Sequence, residues 1–236
     1  VRPHVGDDVA AVADLIAAVE RSVLGVVHVQ RADIASLWST DTFTPELDGI
    51  AVLDAGRMVA AAQLYGQKAD VHVHPDATGR GLGRDLRAWT EARARARGER
   101  YVGQTVPDAN RAAVRLLTES GYVRTYSSWI LRVDHRDRPP EPRLPEGVHI
   151  RAFPPGDELP AYRVIEDAFA EWPGRRPNTF DSWRALTIGR EDFAPDQFLI
   201  AEHRGLVVGA ALLLVDGEIW VDKLAVIRNL RNRGIA

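Results

Sequence analysis

The sequence predicts an α/β protein (α+β in the sense of a mixed sheet), built from two tandem copies of one unit. Three observations predict it. Segments with apolar residues at helical spacing alternate with short runs rich in β-branched residues. The same order of segments occurs twice, with Arg151 answering Arg2 at a distance of 149 residues and Gly234 answering Gly81 at 153. Between the copies lies "DHRDRPPEPRLPEG", residues 134–147, with four prolines, seven charged residues and no apolar periodicity, the pattern of a linker. Domains are therefore expected at 1–133 and 148–236.

In chain order, "VRP" reads as a strand. Val9, Val12, Leu15, Ile16 and Val19 give one helical face, with Asp7 or Asp8 as the N-cap. A short helix is expected from Ala32 to Trp38. "GIAVLD" and "RMVAAAQLYG" are two strands joined by a tight turn at Asp54 to Arg57, and "ADVHVH" is a third strand. From Leu82 the period becomes helical, through Leu86, Trp89, Ala92 and Ala96, until Gly98. "YVGQTV" is a strand, "DANRAAVRLLTESG" a capped helix, and "YVRTYSSWILRV" a long final strand. After the linker, "VHIRAF", "GDELPAYRVIEDAFAEW", the hairpin "QFLIAEHRGLVVGAALLLVDG", the strand "EIWVDKLAV" and "RNRGIA" repeat that order; small loop insertions account for the difference between 149 and 153. "VRPH" reads as the end of a strand and "RNRGIA" as the start of a helix. Further residues are thus expected at both ends, with the second copy stopping inside its loop.

The 236 residues suffice for one large domain or two small ones, and 45% apolar content supports a sizeable core. A net charge of −3 and a pI near 6.2 argue against an electrostatic nucleic-acid binder. The absence of cysteine excludes disulfides, thiolate metal sites and a cysteine nucleophile. No metal site is expected. No run approaches a membrane span and no signal segment opens the chain, so a cytoplasmic setting is the default.

The stretch "VHVHPDATGRGLGRDLRAW" carries the chemistry. A strand that enters a glycine-rich turn and then a helix leaves the first N–H groups of that helix unpaired, and the helix dipole adds positive potential there. Phosphate suits such a site. Glycine allows positive φ and close approach of the ligand to the backbone, so Gly79, Gly81 and Gly83 suggest something lying against the chain. Arg80 and Arg84 add charge. A P-loop needs Lys-Ser or Lys-Thr after its last glycine, and "GRD" stands there instead; the Gly-x-Gly-x-x-Gly fingerprint also fails, with Arg84 or Leu86 at the sixth place. What remains is Val73-His74-Pro75 followed by Thr78, Gly79, Arg80, Gly81, Leu82 and Gly83.

This pattern resembles the acetyl-CoA loop of the GNAT acetyltransferase superfamily, in which a V-x-P turn precedes x-x-G-x-G or x-x-G-x-A. The second copy reads Leu224-Ala225-Val226, then Arg231-Asn232-Arg233-Gly234-Ile235-Ala236. The first copy has Thr78 where the family favours Arg or Gln, and the second has Arg228 where it favours proline. The resemblance implies two tandem acyl-CoA-binding domains, the second incomplete, similar to the arrangement of the mycothiol synthases. It implies that acyl-CoA lies in a gap where the strand of Val71, His72 and Val73 splays from its neighbour, bonded to the strand's backbone as an added strand would be. His72 and His74 are read as solvated or edge histidines without a catalytic role.

The family's proton donor is a tyrosine in N-x-x-A-x-x-L-Y-x-x-x-G-F. Here Asn110 and Gly121 match, but Leu117 stands at the tyrosine position, so the first copy is expected to bind acyl-CoA and is doubtful as a catalyst. Asn110 is either a helix cap or a cofactor ligand. In the second copy, Glu218 and Asp222 are candidate bases, with Trp220 between them; strict alternation puts all three on one strand face. The alternative for each acid is an exposed strand carboxylate. "EDAFAEWPGRRP", Glu166 to Pro177, lies where the family builds acceptor-binding loops. The resemblance implies an acetyl-CoA-dependent N-acetyltransferase acting on a small-molecule or protein amine. The alternative is a non-catalytic acyl-CoA-binding or regulatory module. Neither reading calls for a nucleic-acid or membrane partner.

Overall fold

A computed structural model describes residues 1–134, 137, 141–172 and 175–236, and of Asp216 the backbone alone. Of the expected linker, residues 135, 136 and 138–140 lie outside the described residues, as do Pro173 and Gly174 of the expected acceptor loop. The chain divides into two compact units, Val1–Ser128 and Trp129–Ala236. Residues 129–133 thus go with the second unit rather than the first.

In the first unit, β1 (Arg2–Pro3), β2 (Gly49–Asp54), β3 (Arg57–Tyr65), β4 (Lys68–Val73) and β5 (Gly103–Gln104) form one sheet in that order. Only the β4–β5 pair is parallel. The helices are α1 (Val9–Leu24), α2 (Arg31–Trp38), α3 (Pro45–Asp48), α4 (Leu82–Ala96) and α5 (Arg111–Glu119). Strand β3 is buried along nearly its whole length because helices cover both faces. Ala61 faces α1 with Val12, Leu15 and Ile16. Ala60 and Ala62 face α4 with Leu86, Trp89, Val71 and Val73. The run of alanines lets the helices sit close to the sheet.

The second unit holds β6 (Val148–Ala152), α6 (Glu158–Phe169), α7 (Phe180–Leu186), β7 (Phe198–His203), β8 (Leu206–Asp216) and β9 (Glu218–Val226). Its four strands are antiparallel, in the order β6-β7-β8-β9. Its core gathers Ile165, Trp183, Phe198, Ile200 and Leu212, with Phe153 stacked on Phe198 at 4.8 Å between centroids.

The internal repeat holds at the level of pairing. Arg2 pairs with Ala51 as Arg151 pairs with Ile200, the same offset of 149. The ion pair of Arg2 with Asp8, 2.6 Å, recurs as Arg151 with Asp157, also 2.6 Å. The β2–β3 turn at Ala55 and Gly56 has positive φ, as has its counterpart at Arg204 and Gly205. The ladder shifts register beside each turn, between Val52 and Leu53 and between Ala201 and Glu202. Helix α7, not expected from the sequence, stands 149 residues after α2. The offset becomes 153 only across one hairpin: Ala60 pairs with Val73, and Gly209 with Val226. The four additional residues are therefore strand residues of a longer β8–β9 hairpin, not loop insertions.

Three local expectations are corrected. Asp8 stands at the N-cap of α1 but makes no side-chain cap; its carboxylate is taken by Arg2 and by the N–H of Val5 at 2.9 Å. The strand expected over "YVGQTV" shrinks to Gly103–Gln104, and residues 122–133 form no strand. The β-branched residues there suit a strand, but among the described residues no neighbouring strand pairs with them; Val123, Trp129, Leu131 and Val133 stay exposed. Propensity without a ladder does not make a strand.

Candidate active site

The site of the first unit begins where β4 loses a partner. Lys68 pairs with Gly103 and Ala69 with Gln104, and the parallel ladder ends there. From Asp70 to Val73, β4 is paired with β3 alone. The backbone edge of Asp70, Val71, His72 and Val73 that faces β5 is thus open, with its N–H and C=O groups available to a ligand. Side chains alternate across this seam. Val71 and Val73 pack under α4, and Asp70 and His72 point to the α1 side, where His72 pairs with Ala61.

The strand then enters a fixed turn. Pro75–Ala77 make one 3₁₀ turn, closed by Asp76 N–H donating to His74 Nδ1 at 3.2 Å and by Thr78 Oγ1 donating to Pro75 O at 2.9 Å. His74, expected as a solvated or edge histidine, caps this turn. Gly79 and Gly81 follow at φ 75° and 84°. A Cβ on Gly79 would meet no protein atom within 4 Å, and one on Gly81 only the mobile end of Arg84. The space in front of these residues is open, and among the described residues the N–H groups of 79–83 donate to no protein group. They lie at the start of α4, a helix of 15 residues whose dipole reinforces them. Gly83 has another job. It does not adopt positive φ, and a Cβ there would come into contact with Leu116 Cδ2 at 3.4 Å, where α4 lies against α5. Only two of the three glycines shape the anion cradle.

The second unit builds the same loop. Thr78 has φ −66° and ψ 160°, and Arg231 has φ −66° and ψ 161°. Asn232 and Gly234 take φ 59° and 78°, matching Gly79 and Gly81. Asparagine is among the few non-glycine residues that accept this conformation. Leu224, Val226, Arg231, Asn232, Gly234 and Ile235 line an open cleft of about 400 Å³. Ala225 is buried on the core side. Arg233 and Ala236 complete the stretch in which, again among the described residues, N–H groups 232–236 have no protein acceptor.

Two carboxylates hold the loop arginines, a pairing not expected from the sequence, although Glu171 falls inside the stretch expected to bind the acceptor. Asp54, at the end of β2, accepts from Arg80 at 2.9 Å. Glu171, after α6, accepts from Arg231 at 2.8 Å, while Arg231 Nε donates to Val226 O at 2.9 Å. The Arg231 guanidinium holds the Glu171 carboxyl below the usual range. Both acids are distant from their partners in sequence and sit in unremarkable polar surroundings, so no local pattern marks them.

The other expected residues fall as follows. Asn110 caps α5, accepting from Ala113 N–H at 3.1 Å. Leu117 is buried in α5. Glu218 is bound by Arg132 at 2.8 Å at an exposed strand end. Asp222 is bound by the adjacent Lys223. The ladder shifts register there: Leu213 pairs with Val221, but Leu212 with Lys223. Asp222 is the extra residue of a bulge, so strict alternation from Glu218 does not extend to it, and the expected shared face is corrected. Glu166 is 3% exposed and accepts from Arg175 Nη2 through both oxygens and from Asn178 N and Nδ2, at 2.9–3.0 Å. It ties together the end of α6 and the stretch before α7. Trp172 is exposed, its ring edge-on to Phe169. Among the described residues no group of three metal-ligating side chains occurs, and no helix is long and apolar enough to cross a membrane.

Comparison with known proteins fits this geometry. The model of the Acetyltransferase (GNAT) family matches residues 19–122, a span that holds β4, its loop, α4 and α5. The chain belongs to the GNAT acetyltransferase family. A mycothiol acetyltransferase from Frankia casuarinae is 35% identical over 170 residues, which is 66% of this chain and 46% of that protein. The chain spans about half the length of the curated relatives it matches. A GCN5-related N-acetyltransferase from Sphaerobacter thermophilus superposes with a TM-score of 0.69 at 27% identity, over 99% of this chain and 78% of that one. A tandem GNAT protein from the clavulanic acid pathway superposes at 0.67 and 20% identity, over 98% of this chain and 80% of that one; it bears on the fold alone. In this GNAT chain the match thus extends past the residues that the family model covers.

Proposed function

We propose that the protein is an acetyl-CoA-dependent N-acetyltransferase that moves the acetyl group directly to an amine. The observation that carries this reading is the open edge of Asp70 to Val73 leading into the unpaired N–H groups of 79–83. A pyrophosphate fits the cradle, and an extended amide-bearing arm fits the strand edge. The second unit repeats the cradle at 232–236 with Arg231 and Arg233 beside it, and we read it as a second acyl-CoA site. Direct transfer needs a proton acceptor for the amine and N–H groups at the thioester carbonyl. Glu218 and Asp222 are the candidate acceptors in the second unit, Asp222 standing at a bulge. We assign the main turnover to the second unit, because Leu117 gives the first no phenolic donor. The named relatives are mycothiol acetyltransferases, which puts amines of that class first as small-molecule acceptors.

Leu117 also favours a second reading, an acyl-CoA-binding module without turnover. Thiol release from acetyl-CoA in the presence of an amine panel separates the two. The chain has no cysteine, so a thiol reagent reads the product without background from the protein. Amine-dependent release with acetylated product supports the enzyme; acetyl-CoA binding without product supports the module.

A further inference from the structure

The α1 side of the open seam carries a side chain that neither loop uses. His72 is half-buried, and among the described residues no protein group hydrogen-bonds its imidazole. It stands in the middle of the four β4 residues that have lost β5, on the face opposite Val71 and Val73. Asp70, its neighbour on the same face, accepts from Tyr65 Oη at 2.8 Å. Glu20 comes from α1 and is held in place by the N–H groups of His28 and Val29, at 2.7 and 2.9 Å. A group threading the seam from the α4 side therefore emerges beside an imidazole whose protonated form both carboxylates favour.

We propose that His72 is a proton acceptor for acyl transfer in the first unit, and that the Asp70–Glu20 side of β4 receives a primary amine there. This rests on the proposed binding of acetyl-CoA along β4. Burial keeps the imidazole neutral by lowering its affinity for protons, against the opposing pull of Asp70 and Glu20, so it is in the basic form at neutral pH. Tyr65, held protonated by burial and by Asp70, adds no competing charge. His72 takes one proton from the amine as the N–C bond forms. The C–S bond breaks with its electron pair leaving on sulfur. The imidazolium can then return that proton to the thiolate, the service that Leu117 cannot provide. Atoms and charge balance with acetyl-CoA and the amine alone. The first unit is then a slow acyltransferase, not only a scaffold.

The test uses the chain carrying Gly234→Val, which disables the second cradle, with acetyl-CoA and n-butylamine as the probe. Gly234→Ala serves if valine disturbs the fold. Thiol release above the buffer rate is expected. Adding His72→Gln should lower it by about 10²-fold, with acetyl-CoA affinity in calorimetry unchanged. His72→Asn repeats the measurement with a smaller amide. The rate per unprotonated amine should hold level as pH falls past 6.5, the ordinary histidine value, and drop only in more acid solution; the His72→Gln chain should lack that drop. Release at the buffer rate, or release indifferent to His72→Gln, while acetyl-CoA still binds, overturns this inference alone. Absence of acetyl-CoA binding in the parent chain overturns the proposed function and this inference with it.

Discussion

His4 and Phe153 hold equivalent places in the two units, 149 residues apart, and only one of them titrates. His4 is fully buried beside Trp38, at 5.1 Å between rings, and neither ring nitrogen has a hydrogen-bond partner. Its ring fills the space over Gly49, where a Cβ would meet His4 Cδ2 at 2.0 Å; Phe198 stands there in the second unit, against Phe153. Burial depresses the His4 pKa from 6.5 to about 4, overcoming the attraction of Asp8. The unfolded chain therefore binds more protons than the folded one between those values, and stability falls as pH drops from 6.5 to 4. The loss should approach about 3 kcal/mol, read as a lower urea midpoint at pH 4.5 than at pH 7. His4→Phe should flatten that slope; an equally steep slope in the variant would exclude His4 as its cause. At the same scale, Gly81→Val should weaken acetyl-CoA binding by about tenfold or more, because a branched Cβ at positive φ fills the cradle and strains the loop. Unchanged calorimetric affinity in a folded variant would remove the cradle from the site.

Among the elements, the α6–α7 connection depends on one buried carboxylate. Glu166 accepts from Arg175 and from two atoms of Asn178, and the Arg175 guanidinium also lies 4.9 Å over the Phe169 ring. Glu166→Ala would leave a cation and two amide donors unsatisfied. It should cost about 3 kcal/mol and expose residues near 170–178 to protease before the rest of the chain melts. Cleavage no faster than in the parent would show that the connection is held by other contacts. Strand β9 shows the opposite limit of sequence reading. Its pattern of Glu218, Trp220 and Asp222 reads as one face, but the alternation is broken by a bulge, and pairing across the sheet decides where the register shifts.

At the scale of the whole chain, the two cradles are alike in backbone and unlike in surroundings. The first has Thr78 and an Asp54-bound Arg80, and the second has Arg231 braced by Glu171. Gly234→Val should remove most amine acetylation, while Gly81→Val should remove one of two acetyl-CoA sites and leave most turnover. The residual activity after Gly234→Val should be the part that depends on His72. Equal loss from both changes, in chains shown to be folded, would mean that the units are coupled or that their roles are reversed.

The sequence by itself determined the repeat, most of the helices and hairpins, and both cradles. These are local matters: apolar period sets helix or strand, and glycine or asparagine at fixed spacing permits positive φ. It did not reveal α7, whose short run lacks a clear period, nor the failure of 122–133 to form a strand. Only the tertiary structure decided which edge of β4 lies open, which carboxylate holds which arginine, and where β9 bulges. It also turned Glu166 from a candidate acceptor contact into a brace, and His72 from an edge residue into a half-buried base candidate. Each of these depends on a partner outside the local run of sequence, from 9 residues away for Glu166 and Arg175 to 60 for Glu171 and Arg231. A strand's hydrogen bonds and a side chain's charge are set by the neighbours that folding brings to it, and the order of residues along the chain does not name those neighbours.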